Sequence, residues 1–267
     1  MKNVLVLMHA DVGQEARFQA ALDITRALEG HLTCVDVSIV PAYVGDYADC
    51  GGTARLMSDE EARESDNRAR FEARLKAEDV PWTWVDETGF LGPCVRDQVG
   101  LADLVVLNRK LDSIPWPDMR ELVGEVLLKG HKPIVAVPET ARRFDAFGHA
   151  MIAWDGSREA DAALRAAVPL LQRASAVTIV EVNDGSIDIP GSEAAQYLSR
   201  HGISATLRRE RADFDIPSTV LLIAIQTSGV AYLVMGGFGH SRFMESMLGG
   251  VSRRMLDECP VPVFLAH

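Results

Sequence analysis

Along residues 150–267 the spacing of apolar positions switches back and forth between two periods. Ala150–Trp154 is apolar at every position, reads as a buried strand, and is bounded by Asp155-Gly156-Ser157. Ala160, Ala163, Leu164, Ala167 and Leu171 then recur at helical spacing, with Ser157 as the N-cap. Val177–Val182, rich in β-branched residues, predicts the next strand; Glu193–Arg200 predicts a short helix ended by Gly202. Ser204–Leu207 is a strand, Pro217 opens a helix filled out by Ser218–Gln226, and Ala231–Met235 is another buried strand. A helix over Gly249–Cys259 and a strand over Pro262–Ala266 complete the order. Nearly all-apolar strands alternating with helices imply a parallel sheet covered on both faces, a doubly wound α/β unit. Ligands of such sheets sit beyond the carboxyl ends of the strands, where strand order reverses.

The pattern occurs twice. Asn3–Met8 opens the first half as Ala150–Trp154 opens the second, and residues 102–107 (ADLVVL) correspond to 231–235 (AYLVM). Lys132–Pro138 likewise corresponds to Val261–His267. The first copy carries about 17 extra residues, most simply within Tyr43–Arg70. That acidic insertion, around Asp46–Asp66, either lies over the first-copy cleft with a ligand of its own or forms a surface helix. The helix is the preferred expectation, given the composition of Asp59–Asp66. Glu139–Gly148 is charged, lacks an apolar period and reads as a hinge. The expected domains are therefore 1–143 and 148–267.

Composition narrows the classes of function. With 48% hydrophobic and 24% charged residues the chain can bury a core, so disorder is excluded as its main state. The longest apolar run, Val220–Ile225, is a third of the roughly 18 residues a membrane span needs. Met1-Lys2-Asn3 followed by Val4–Met8 is too short for a leader, so a cytoplasmic location is expected. The net charge is −11, with 17 Lys/Arg against 25 Asp/Glu in residues 1–145 and 10 against 13 in the remainder. Without a basic run there is no footprint for a nucleic-acid backbone or an anionic membrane, and neither is expected as a partner. The cysteines lie far apart and show no CxxC spacing; no tightly bound metal is expected. Cys34 and Cys259 read as core residues, and Cys50 as a thiol in a Gly-rich loop.

Chemistry concentrates after Met235, in Gly236-Gly237-Phe238-Gly239-His240-Ser241-Arg242, continuing to Gly249-Gly250-Val251-Ser252. Glycines between a buried strand and a helix let backbone approach a ligand closely. The free N–H groups at the helix start can hold an anion. A tight turn followed by a cap would use the same residues. There is no GxxxxGK[ST] string; GxGxxG fails at Arg242, and GxSxG fails at Phe243.

Gly236-x2-Gly239-x9-Gly249 resembles the ATP-binding motif of the universal stress protein family, G-x2-G-x9-G-[S/T]. The order of elements over the second copy is similar to that family too. The resemblance implies an α/β protein of two tandem doubly wound five-stranded parallel-sheet domains, Rossmann-like and adenine nucleotide α-hydrolase-like. It also implies an ATP or ADP, with or without magnesium, held across the strand ends. Carried over, Ala153, Trp154 and Asp155 face adenine and ribose and Val182 lines the base pocket. Met235, Gly236 and Gly239 pass beneath ribose and phosphates, His240 lies near the phosphates, and Gly249, Gly250 and Val251 donate backbone N–H groups. Equally, Asp155 could cap a helix, Trp154, Val182 and Met235 could be core, and His240 and Arg242 could be solvated. The family's Ser/Thr is Gly250 here, so one hydroxyl is lost, with Ser252 a candidate substitute. That loss is worth about 1.5–3 kcal/mol. In the first copy an ungapped comparison puts Leu107, Lys110, Arg120 and Glu121 at the motif positions, and Pro115-Trp116-Pro117 stiffens the loop. This half is expected to hold no ATP by the same means and to pair with the second as an internal pseudo-dimer.

The function implied is a stress-response protein with one nucleotide site, a protein partner, at most slow hydrolysis, and further homodimerisation open. The alternatives are a nucleotide-independent interaction scaffold and a weak phosphatase or kinase using Asp155 and His240.

Overall fold

Each half runs β-α-β-α-β-α-β-α-β. The structure is a computed structural model that describes residues 1–40, 50–111, 118–183, 189–211, 216–239 and 250–267. In the first half these are β1 (Asn3–Leu7), α1 (Gln14–Leu28), β2 (His31–Ile39), α2 (Cys50–Leu75), β3 (Trp82–Gly89), α3 (Leu91–Gln98), β4 (Leu104–Asn108), α4 (Met119–Leu128) and β5 (Ile134–Val137). The second half has β6 (His149–Trp154), α5 (Arg158–Leu171), β7 (Ala176–Asn183), α6 (Gly191–Arg200), β8 (Ala205–Arg211), α7 (Pro217–Ser228), β9 (Tyr232–Gly236), α8 (Gly250–Glu258) and β10 (Val263–Ala266). Every strand and helix expected in the second half is present, with ends displaced by a few residues.

The strands form one sheet in the order β3-β2-β1-β4-β5-β10-β9-β6-β7-β8. All neighbours are parallel except β5 and β10, which pair antiparallel through Val263–Ala136, Phe264–Val135 and Leu265–Ile134. Each half thus contributes five strands, with the order reversing between β1 and β4 and between β6 and β9. Two apolar layers cover the faces: Val4, Val6, Phe18, Val135, Ile152 and Phe264 lie on one side, Leu5, Leu7, Val105, Met151, Leu233 and Leu265 on the other. Successive residues of one strand fall in opposite layers, as the period of two requires. This is why the strands read as continuous apolar runs.

Four expectations need correction. Asn108 pairs with Val137 as Gly236 pairs with Ala266, so Asn108, rather than Leu107, stands where the first motif glycine would be. The ungapped comparison slipped by one because the loops after these strands differ in length. The stretch read as a hinge is packed: Phe144 and Ala146 are buried, the Phe144 ring lies 5.0 Å from that of Tyr232, and Phe144 N donates to Asp23 at 2.9 Å. The first-half insertion is a helix, α2, of 26 residues against 10 in α6, but it is no plain surface helix. Its Glu64 and Asn67 are buried over the carboxyl ends of β1 and β2. Cys50 is the first residue of that helix rather than a loop residue. Cys34 and Cys259 are buried as expected, and burial pushes both thiols up, Cys259 to about 11.

Candidate functional site

In the second half the reversal point between β6 and β9 is open. The turn after β6 is built by its own polar side chains. Asp155 Oδ1 accepts from Ser157 N at 2.9 Å and from the Ser157 hydroxyl at 2.6 Å. Ser157 Oγ in turn accepts from Ala160 N at 3.1 Å, which is the N-cap of α5. Asp155 therefore shapes the turn, while the helix cap considered for it falls to Ser157, and Asp155 also borders the cavity. At the end of β9, Gly236 lets α5 come close: a Cβ there would stand 2.6 Å from Ala160 N and from the Glu159 carbonyl carbon. No side chain fits against backbone at that distance.

Beyond these strand ends lies a cavity of about 180 Å³. Ala153, Trp154, Asp155, Val182, Met235, Gly236, Gly239, Gly250 and Val251 all line it, so nine of the eleven expected residues converge on one space. His240 and Gly249 lie outside the described residues. Its apolar wall is Trp154, Val180, Val182, Pro217, Leu221 and Met235. Trp154 is buried, and its indole N–H donates to Ile189 O at 2.8 Å, which fixes the ring plane. The polar wall is Asp155, Ser157, Glu159 and Ser252, together with the glycine backbone. Helix α8 starts at Gly250, so the N–H groups of its first turn lack intrahelical acceptors and face this region.

Ser252 answers part of the question raised by Gly250. Its Oγ accepts from Phe238 N at 3.1 Å, and it stands in the cavity wall where a hydroxyl can meet a ligand. Phe238 is held at φ 65, left-handed and costing an L residue about 1–2 kcal/mol. Burial of its ring offsets that cost: a Cβ on Gly124 of α4 would lie 3.7 Å from it. Gly237 similarly backs onto Leu127. The glycine segment therefore rests on the first half. The far end of α8 does too, since Arg109 Nη1 donates to Leu256 O at 2.9 Å and to Asp257 O, and Arg120 pairs with Asp257 at 3.0 Å. Arg109 thus supplies a positive group to the carboxyl end of the helix dipole.

Glu159, Ser157, Val180, Pro217 and Leu221 were missed. Val180 shares the strand face of Val182 two residues on and could have been read from that alternation. Pro217 and Leu221 arrive from α7, a placement only the tertiary fold makes. Glu159 had no motif signal, yet its Oε2 would lie 2.8 Å from a Cβ on Gly239.

The equivalent point in the first half is closed by a charged network. Arg17, fully buried, donates to Leu7 O and His9 O at 2.9 Å each, and to Asp11 Oδ1 at 2.9 Å. It also bonds Asn108 Oδ1, which ties the ends of β1 and β4 together across the reversal. Gly13 sits so tightly here that a Cβ would overlap Asn108 and Leu111.

The fold and this site define a class: paired five-stranded, doubly wound α/β units with a cleft at the reversal of one. Residues 146–267 match the model of the Universal stress protein family, so the second half of the chain is a universal stress protein domain. Among solved structures, the chain is similar to a universal stress protein from Archaeoglobus fulgidus, with a TM-score of 0.75 at 14% identity, over 98% of this chain and 95% of that one. It is similar to a functionally unknown protein from Pseudomonas aeruginosa, with a TM-score of 0.60 at 13% identity, over 100% and 92%. The cytoplasmic domain of a prokaryotic cation chloride cotransporter matches with a TM-score of 0.51 at 10% identity, over 99% and 95%. At these identities the likeness is one of fold, and it spans both halves. No curated protein matches the sequence. Among the described residues no helix is long and apolar enough to cross a membrane.

Proposed function

We propose that this chain is a nucleotide-dependent stress-response regulator that binds one adenine nucleotide, ATP or ADP, in the cavity of its second half. The observation that carries this reading is the convergence of nine motif-derived residues on one space at the strand reversal, where ligands of such sheets sit. In this reading the domains are 1–143 and 148–267 and the protein acts in the cytoplasm. The base stacks among Trp154, Val180, Val182 and Met235, and the phosphates lie along Gly236, Gly239 and the amino end of α8. Glu159 opposes a bare polyphosphate, so a magnesium ion carried in with the nucleotide would meet a carboxylate already facing the glycines. The nucleotide state is read out through Phe238 and α8, both of which rest on the first half.

The test is to denature purified protein, identify any released nucleotide by mass and absorbance, and titrate the stripped chain with ATP calorimetrically. One equivalent is expected. Gly239→Val should weaken binding at least tenfold without unfolding the protein, because the new side chain meets only the movable end of Glu159. No released nucleotide and no heat up to millimolar ATP would leave the scaffold reading, which the loss of the motif hydroxyl at Gly250 favours.

A further inference from the structure

The first half holds a second buried polar cluster, next to but separate from Arg17. It sits at the carboxyl ends of β1 and β2, beneath α2. His9, Asp36 and Glu64 are 4%, 2% and 4% exposed, and one donor atom from each lies within 4.8 Å of the others. His9 Nδ1 is 2.9 Å from Glu64 Oε1 and 3.0 Å from Val37 O. Asn67 Nδ2 orients both carboxylates, donating to Asp36 Oδ2 at 3.4 Å and to Glu64 Oε2 at 3.2 Å. Ala10 N donates to Glu64 as well.

Beyond His9 itself, no buried cation pairs with these carboxylates among the described residues. Asp36 and Glu64 face each other with Glu60 beside them, 4.0 Å from His9 Nδ1. Arg17 is committed to Asp11, and Arg63 reaches Glu60 and Glu64 only from a half-exposed position. Among the described residues Asp36 Oδ1 is fully buried and accepts no hydrogen bond, while the Asp36 carboxyl lies against that of Glu64. A buried carboxylate oxygen without a partner is costly and rare.

We propose that His9, Asp36 and Glu64 bind one divalent transition-metal ion. An imidazole nitrogen with two carboxylates is a donor set suited to Zn²⁺ or Mn²⁺. Ligand atoms on one such ion stand about 3–4 Å apart, so a cluster spread over up to 4.8 Å draws in slightly on binding. The ion adds positive charge to a cluster richer in acids than in bases and gives Asp36 Oδ1 a partner. Asn67 is the outer group that holds the two carboxylates in place. The site is made by the first-half insertion, because Glu64 and Asn67 both come from α2. It does not depend on the nucleotide reading, whose residues are all in the other half.

The experiment uses the full chain, stripped with a chelator and titrated separately with ZnCl₂ and MnCl₂, following heat and thermal midpoint. One equivalent per chain with a raised midpoint is expected. Asp36→Asn and Glu64→Gln should each bind at least about a hundredfold more weakly while keeping the wild-type far-ultraviolet spectrum. If either variant fails to fold, Co²⁺ added to the wild-type chain decides. Visible d–d bands without thiolate charge transfer support the site, whereas thiolate bands or no bands overturn it. Absence of binding to folded wild-type protein at millimolar metal overturns the proposal too, as does undiminished binding by both variants.

Discussion

The two halves share a topology and differ most where a ligand would enter. At the reversal in the second half, glycines and small turns clear a space walled by Trp154, Val182 and Met235. At the same point in the first half, Arg17, Asn108 and Asp11 fill the gap, and α2 roofs the neighbouring strand ends. The contrast teaches that one backbone plan supports either a vacant crevice or a polar plug, and that a few positions decide which. Gly236 against Asn108 is the clearest: one admits the helix and leaves space, the other bridges two strands.

The largest expected effect comes from unplugging the first half. Arg17→Met leaves Asp11 buried without its guanidinium and frees three strand-end acceptors, so urea denaturation should show a loss of about 3–5 kcal/mol. ATP binding by whatever protein remains folded should be unchanged; a matching loss of affinity would mean that the halves are not separable in this respect. Next in size is the link between them. Arg109→Ala uncaps the carboxyl end of α8 and should cost about 1–2 kcal/mol. If α8 carries the nucleotide signal, the ATP affinity measured by calorimetry should fall as well, by several-fold. The smallest effect is at Glu159. Glu159→Gln removes a charge beside Gly239 and should tighten ATP binding without magnesium by up to about fivefold, the size of an interaction near 1 kcal/mol in a water-like medium. An unchanged affinity would place the phosphates away from Gly239.

Much of the second half was legible because its signals are local. The strands are unbroken apolar runs, Ser157 caps where an N-cap was expected, and the glycine spacing pointed at residues that do share a cavity. The first half was less so, for physical reasons. Arg17 lies on an apolar helix and looks like an ordinary exposed cation until its partners, strand-end carbonyls among them, are placed around it. His9, Asp36 and Glu64 come from three elements far apart in sequence, so no spacing announced them and the sequence suggested no metal. Asn108 was misplaced by one position because strand register is set by pairing with Val137, which an ungapped comparison does not see. The packed Phe144 segment lacked a period because it buries a single aromatic rather than a stripe.

The antiparallel seam between β5 and β10 has a further consequence. When two identical chains meet along such an edge, every substitution appears on both sides of the two-fold axis, and a residue that suits one side must suit the other. Here both edges belong to one polypeptide. Arg109 can reach over to α8 without a counterpart reaching back, and Gly124 can accept Phe238 without a second copy of the same contact. The seam keeps the geometry of a symmetric pair while releasing each side from the other's mutations. A plug and a crevice can then coexist in one molecule at fixed one-to-one ratio.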